Sequence, residues 1–148
     1  MSGSNNIIQQ GTLNRLLTNI TVASYPALNV TSGYFSKAFS RPSIAGPYTT
    51  QIPTGTGIVN SPEPYVMGDF VINLLRTQAL SGAWLTQVQL YSVLGTVTGY
   101  SDTTTFPSIQ LANASVTALD PGAWDGTDPV VSVTVTGVYF INSNLWSA

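Results

Sequence analysis

Residues 130 to 142 read VVSVTVTGVYFIN, with Val131, Val133 and Val135 alternating with Ser132, Thr134 and Thr136. A period of two gives a strand one apolar face and one hydroxyl-bearing face. The run outlasts the usual strand of about five or six residues, and strands that long belong to barrels or assembled sheets. Gly137 interrupts the alternation and reads as a bulge, after which Tyr139 and Ile141 continue the buried face. Whatever else the chain does, it must supply this strand with partners.

Similar runs recur upstream. Residues 16–23 and 28–35 read as strands on either side of Pro26, where a missing N–H is tolerable. Residues 67–76 (MGDFVINLLR) read as a core strand, and 96–100 and 108–118 return to strand patterning. Between them, Gln78 to Leu94 places Leu80, Trp84, Val88 and Tyr91 on one helical stripe, with Gly95 as a left-handed cap. The expected fold is mainly β: an antiparallel sandwich or partial barrel of about six strands with one flanking helix at about 79–94. At 148 residues it forms one domain, 1–148. Residues 45–64 carry Pro47, Pro53, Pro62, Pro64 and three glycines, which predicts a long extended loop. Ile44, Tyr48, Ile52, Ile58 and Val59 are too apolar for a solvated linker, so the loop packs either on its own domain or, the preferred reading, on another copy.

The chain contains no Cys and no His, four basic and six acidic residues, and only 7% charged residues. Thiol and imidazole nucleophiles, Ser-His-Asp triads and Cys/His zinc sites are therefore excluded. Four bases cannot build a basic patch, which excludes nucleic-acid affinity driven by counterion release. Gly55-Thr56-Gly57 lacks the following Lys of a phosphate loop. Asp120, Asp125 and Asp128, in LDPGAWDGTDP, lack the spacing of a calcium loop and read as a structural turn whose Asp side chains bond their own backbone. No catalytic residue, metal site or cofactor is expected. A surface so poor in charge is best explained if neighbouring copies cover it. Glu63, between two prolines, is a candidate for an ion pair with a neighbouring subunit or else a solvated loop charge. Met1 to Gln10 has no basic or apolar leader region, and no uncharged run reaches the roughly 18 residues of a membrane span. The expectation is a soluble protein made in a cytoplasm, with no stable membrane insertion.

Five stretches carry a resemblance: GTLNRL at 11–16, YPALNVT at 25–31, SPEPY at 61–65, DGTD at 125–128 and INSNLW at 141–146. In their order along nearly the whole chain they resemble the tail tube proteins of contractile-tailed bacteriophages. The resemblance implies hexameric rings that stack into a β-lined tube inside a contractile sheath, through which phage DNA passes without stable binding. It also implies residence in the virion tail after synthesis in the host bacterial cytoplasm, and partners among sheath, baseplate and tail-terminator proteins. Subunit or ring–ring contacts would fall on Tyr48, Ile52, Ile58, Val59, Glu63 and Tyr65, with Trp146 as a terminal anchor and helix 79–94 facing the sheath. The family's channel is commonly acidic, whereas this chain's few acids fall mostly in predicted loops. Two alternatives stay open: another ring-forming tail, baseplate or tail-terminator protein, or a carbohydrate-binding β-sandwich that stacks sugars on Trp124.

Overall fold

The computed structural model describes residues 6–147, so half of the segment read for a leader lies outside the described residues. Eight strands and one helix follow in order: β1 (Asn19–Val22), β2 (Phe35–Ile44), β3 (Thr49–Pro53), β4 (Ile58–Pro62), β5 (Tyr65–Leu75), α1 (Ala79–Leu90), β6 (Val93–Tyr100), β7 (Ile109–Asp120) and β8 (Val130–Phe140). Six of them form one antiparallel sheet in the order β1-β6-β7-β8-β5-β2, while β3 and β4 form a separate hairpin. The sheet is the partial barrel expected from the patterning, curled rather than flat.

Its spine is the pair β5–β8, aligned without interruption from Tyr65 opposite Phe140 to Leu75 opposite Val130. Paired residues share a face, so Phe70, Ile72 and Leu74 stand beside Val135, Val133 and Val131 on the inside. Leu111, Ala114, Val97, Ile20 and Val22 complete that inner face from the neighbouring strands, and Trp84 of α1 caps it. The curl is tight enough to bring β6 against β5, three places away in the sheet. A Cβ on Gly99 would lie 2.7 Å from Cε1 and Cζ of Phe70. The strand order can close to this degree only because position 99 has no side chain.

Several expectations need correction. The segment 45–64 is not an extended loop but a hairpin; Pro53 and Pro62 end β3 and β4, where a lost ladder donor costs least, and Pro47 and Pro64 lie outside the two strands. The helix stops at Leu90 rather than 94, because Leu94 is required in the core and Val93 already pairs with Ser115. Gly95 accordingly caps no helix; its φ of +84° falls where the β6–β7 register shifts. The predicted strand 28–35 reduces to one bridge, in which Ile20 and Val30 exchange backbone hydrogen bonds of 2.9 and 2.8 Å between two 3-10 turns. Residues 16 and 17 of the predicted strand 16–23 belong instead to a 3-10 turn, Arg15–Leu17, capped by Asn14 Oδ1, which accepts from the Leu16 N–H at 3.0 Å. The edge strand β2 escaped sequence reading, since Pro42 and an irregularity between Phe35 and Ser40 hide its period. The bulge assigned to Gly137 lies instead across the ladder on β7, around Asn113 with φ of +50°. Gly137 keeps regular register opposite Gly68 and leaves room for that bulge: a Cβ there would lie 2.9 Å from Leu111 Cβ.

Gly99→Ala is expected to destabilise the domain by about 1–3 kcal/mol, the usual cost of overfilling a packed core. Phe70→Leu in the same chain should recover part of that loss, because it removes the ring atoms with which the new methyl collides. Urea unfolding of the two single variants and the double variant measures the coupling.

Candidate assembly surfaces

The β3–β4 hairpin packs almost entirely on itself and projects from the sheet. Ile52 is paired with Val59, so both side chains share one face with Thr50 and Ser61. Ile58 pairs with Pro53 and stands on the other face. The exposed apolar residues of the hairpin therefore form two surfaces, not one. Tyr48 lies at the base, where its hydroxyl donates to Ile44 O at 2.9 Å and its carbonyl accepts from the Glu63 N–H at 2.9 Å. Tyr65 begins β5 on the outer face, opposite Phe140 and beside exposed Met67.

The C-terminal segment braces this base. Asn142 Nδ2 donates to Tyr48 O at 3.2 Å and to Glu63 O at 2.7 Å, and the Trp146 indole N–H donates to Pro64 O at 3.2 Å. Trp146 also meets the Phe140 ring edge-on, with centroids 5.7 Å apart. The structure thus gathers Tyr48, Glu63, Tyr65 and Trp146 around one joint and leaves Ile52, Ile58 and Val59 out on the arm. Asn142 was not legible as part of this joint. Its side chain closes contacts 79 and 94 residues away in sequence, and no local pattern encodes that.

At the opposite end of β7 and β8, residues 121–129 form a loop held from behind by Arg76. The guanidinium donates to Pro121 O at 2.8 Å, to Ala123 O at 2.9 Å and to Asp128 O. Each aspartate also bonds its own turn: Asp120 Oδ1 accepts from Gly122 N, Asp125 Oδ1 from Thr127 N and Oγ1, and Asp128 Oδ1 from Val130 N. The Thr127 donors hold the Asp125 carboxyl below its ordinary value of 3.8. Gly122, with φ of +78°, is obligatory, since a Cβ there would collide with Val130 O. On this rigid loop Trp124 is 78% exposed, although its indole N–H already donates to Pro121 O at 3.3 Å.

A third feature is a cleft of about 650 Å³ at the open seam of the half-barrel, between β2 and the loop that follows β6. Phe39, Phe70, Phe106 and Ile109 contribute apolar walls, and Arg15, Lys37 and Asp102 stand at its margin. The outer face of the sheet is different again. Thr98, Thr117, Thr134, Thr136 and Ser132 cover its middle, and Thr117 Oγ1 lies 3.0 Å from Thr136 Oγ1. Helix α1 buries Trp84 and leaves Leu85 and Leu90 exposed on the far side.

Arg76→Ala should cost about 2 kcal/mol or more, because three carbonyls lose a charged donor together. Arg76→Lys should recover little of it, since a single ammonium cannot reproduce the guanidinium fork. Chemical denaturation followed by tryptophan emission measures both effects. The Asp125 contribution has the opposite dependence from a raised base: a carboxyl with a depressed native pKa stabilises above its unfolded value and loses that effect as pH falls through the native one. Amide exchange at Thr127 should therefore quicken, relative to its intrinsic rate, only on acidification below about 3.8, the ordinary value. Unchanged protection at lower pH would contradict the role given to this turn.

No protein-family model and no curated protein matches the sequence. Among solved structures, the fold is similar to that of the anti-feeding prophage cap, a tube-terminating cap, with a TM-score of 0.52 and 15% identity. The likeness covers 94% of this chain and 98% of that one, so it extends to the whole domain.

Proposed function

We propose that this chain is a ring-forming structural protein of a phage-tail-like particle, built into its tube. The observation that carries the reading is the fold shared from end to end with a tube-terminating cap. Exposed apolar residues on a hairpin braced only at its base support it, because an arm whose Ile52, Ile58 and Val59 stay open to solvent suits contact with the next subunit. In this reading six copies close a ring through heterologous contacts, and rings stack by repeating one further contact. The protein catalyses no reaction; it works by geometry. Its partners are other copies of itself, a sheath, a baseplate and a terminator, and its location is the virion tail after synthesis in the host.

The sheet's outer face would then line the channel. Its middle carries hydroxyl groups, and toward the β2 edge one base and one acid, Arg41 opposite Val71 and Asp69 opposite Ser43, stand diagonally across the ladder. Such a wall neither condenses onto phosphates nor strongly repels them, which suits passage of DNA without binding.

Sedimentation and negative-stain electron microscopy of the purified chain test the reading. Stacked rings or tubes with a central channel are expected, while a monomer at every concentration would overturn it. A second reading, a ring that ends a tube as the structural neighbour's title describes, predicts single rings that do not stack. Ile52→Lys with Val59→Lys, on the hairpin face they share, should abolish assembly. The thermal unfolding curve of the monomer should be unaltered, because neither side chain belongs to the core.

A further inference from the structure

We infer that the Trp124 loop of one copy seats in the seam cleft of a second copy. The inference rests on the self-assembly reading and specifies one of its contacts. The loop and the cleft lie toward opposite ends of the sheet. Residues 121–129 join β7 to β8 beyond Asp120, and the cleft opens beside Gly99, Tyr100 and Ile109, where β6 meets the beginning of β7. A contact between them is head-to-tail, and such a contact propagates rather than closing on itself as a two-fold pair.

Charge placement is complementary. Three of the chain's six acids, Asp120, Asp125 and Asp128, surround Trp124, while two of its four bases, Arg15 and Lys37, stand at the cleft. Asp102 is the one acid at the cleft, and Arg76 the one base behind the loop. In a chain with ten charges, this concentration of opposite signs at two distant places favours one relative orientation.

The chemistry of the side chain also fits. A tryptophan moved from water into an apolar cavity strands its indole N–H unless an acceptor goes with it. Trp124 carries its acceptor along, Pro121 O within the same loop. Arg76 and Gly122 hold the loop in one conformation, so little ordering entropy opposes docking. The receiving cleft, about 650 Å³ with aromatic walls, has room for the ring and the adjoining backbone.

The absence of cysteine makes a direct test clean. Chains carrying Ala123→Cys, beside an intact Trp124, are mixed with chains carrying Ser40→Cys, in the lining of the cleft, under mild oxidation, and the products are separated without reductant. A disulfide-linked pair that needs both variants is expected, and it should weaken as salt is raised before oxidation. In parallel, Trp124→Ala should raise the concentration at half-assembly at least tenfold while the monomer's unfolding curve stays in place. Wild-type assembly without the mixed cross-link, or assembly of Trp124→Ala at the wild-type concentration, overturns this contact alone. Cross-linking of Ala123→Cys to itself as efficiently as to Ser40→Cys overturns it in favour of a two-fold pairing of loops. A wild-type chain that stays monomeric overturns the assembly reading, and this contact with it.

Discussion

The ladder between β5 and β8 is the constraint on which the rest of the molecule depends. Eleven consecutive residues on each strand pair without a slip, and every other pair turns inward. A slip of β5 by one residue against β8 would send Phe70, Ile72 and Leu74 to the solvent face while Val131, Val133 and Val135 stayed inside, so the register is set by burial rather than by any turn. The two ends of this ladder position everything the protein presents. At one end, Tyr65 and Phe140 deliver the hairpin and the C-terminal segment to the same place, where Asn142 and Trp146 tie them. At the other, Leu75 opposite Val130 leaves Arg76 beside Pro129, within reach of the three carbonyls it holds.

The scarcity of charge has a positive counterpart in where the few charges stand. Arg76 is spent on a loop, Asp120 and Asp128 on turns, and the middle of the sheet's outer face is left to hydroxyl groups. With so little like-charge repulsion, contacts between copies depend on shape and apolar area, and each remaining charge has more influence on orientation. Exposed apolar side chains are correspondingly frequent, on the hairpin, at the C-terminal turn, on the outer side of the helix and at Trp124. In a chain that worked alone these would be aggregation liabilities.

How much was legible depended on whether the information was local. The alternation in β8, the core run in β5 and the helical stripe of Leu80, Trp84 and Val88 were readable because burial of one face writes a period into the sequence. β2 was not readable: it is an edge strand with Pro42 and a bulge, so neither period nor composition announces it. The hairpin was misread for a similar reason, since prolines at strand ends look like prolines in a loop. Of the residues expected to contact other copies, Ile52 and Val59 share a face while Ile58 does not, a distinction that only the register of β3 and β4 supplies.

By itself the sequence determined the chemistry the protein lacks and the class of fold it must adopt. No thiol, imidazole or basic patch can appear in any arrangement of these residues, and an eleven-residue amphipathic strand has to be paired. Only the tertiary structure decided which distant groups meet: Arg76 with the Asp loop, Asn142 with the hairpin base, Phe70 with Gly99. The physical reason is that period and turn chemistry act over a few residues of chain. The curl of a sheet brings together residues dozens of positions apart, according to which side chains are small enough to allow it.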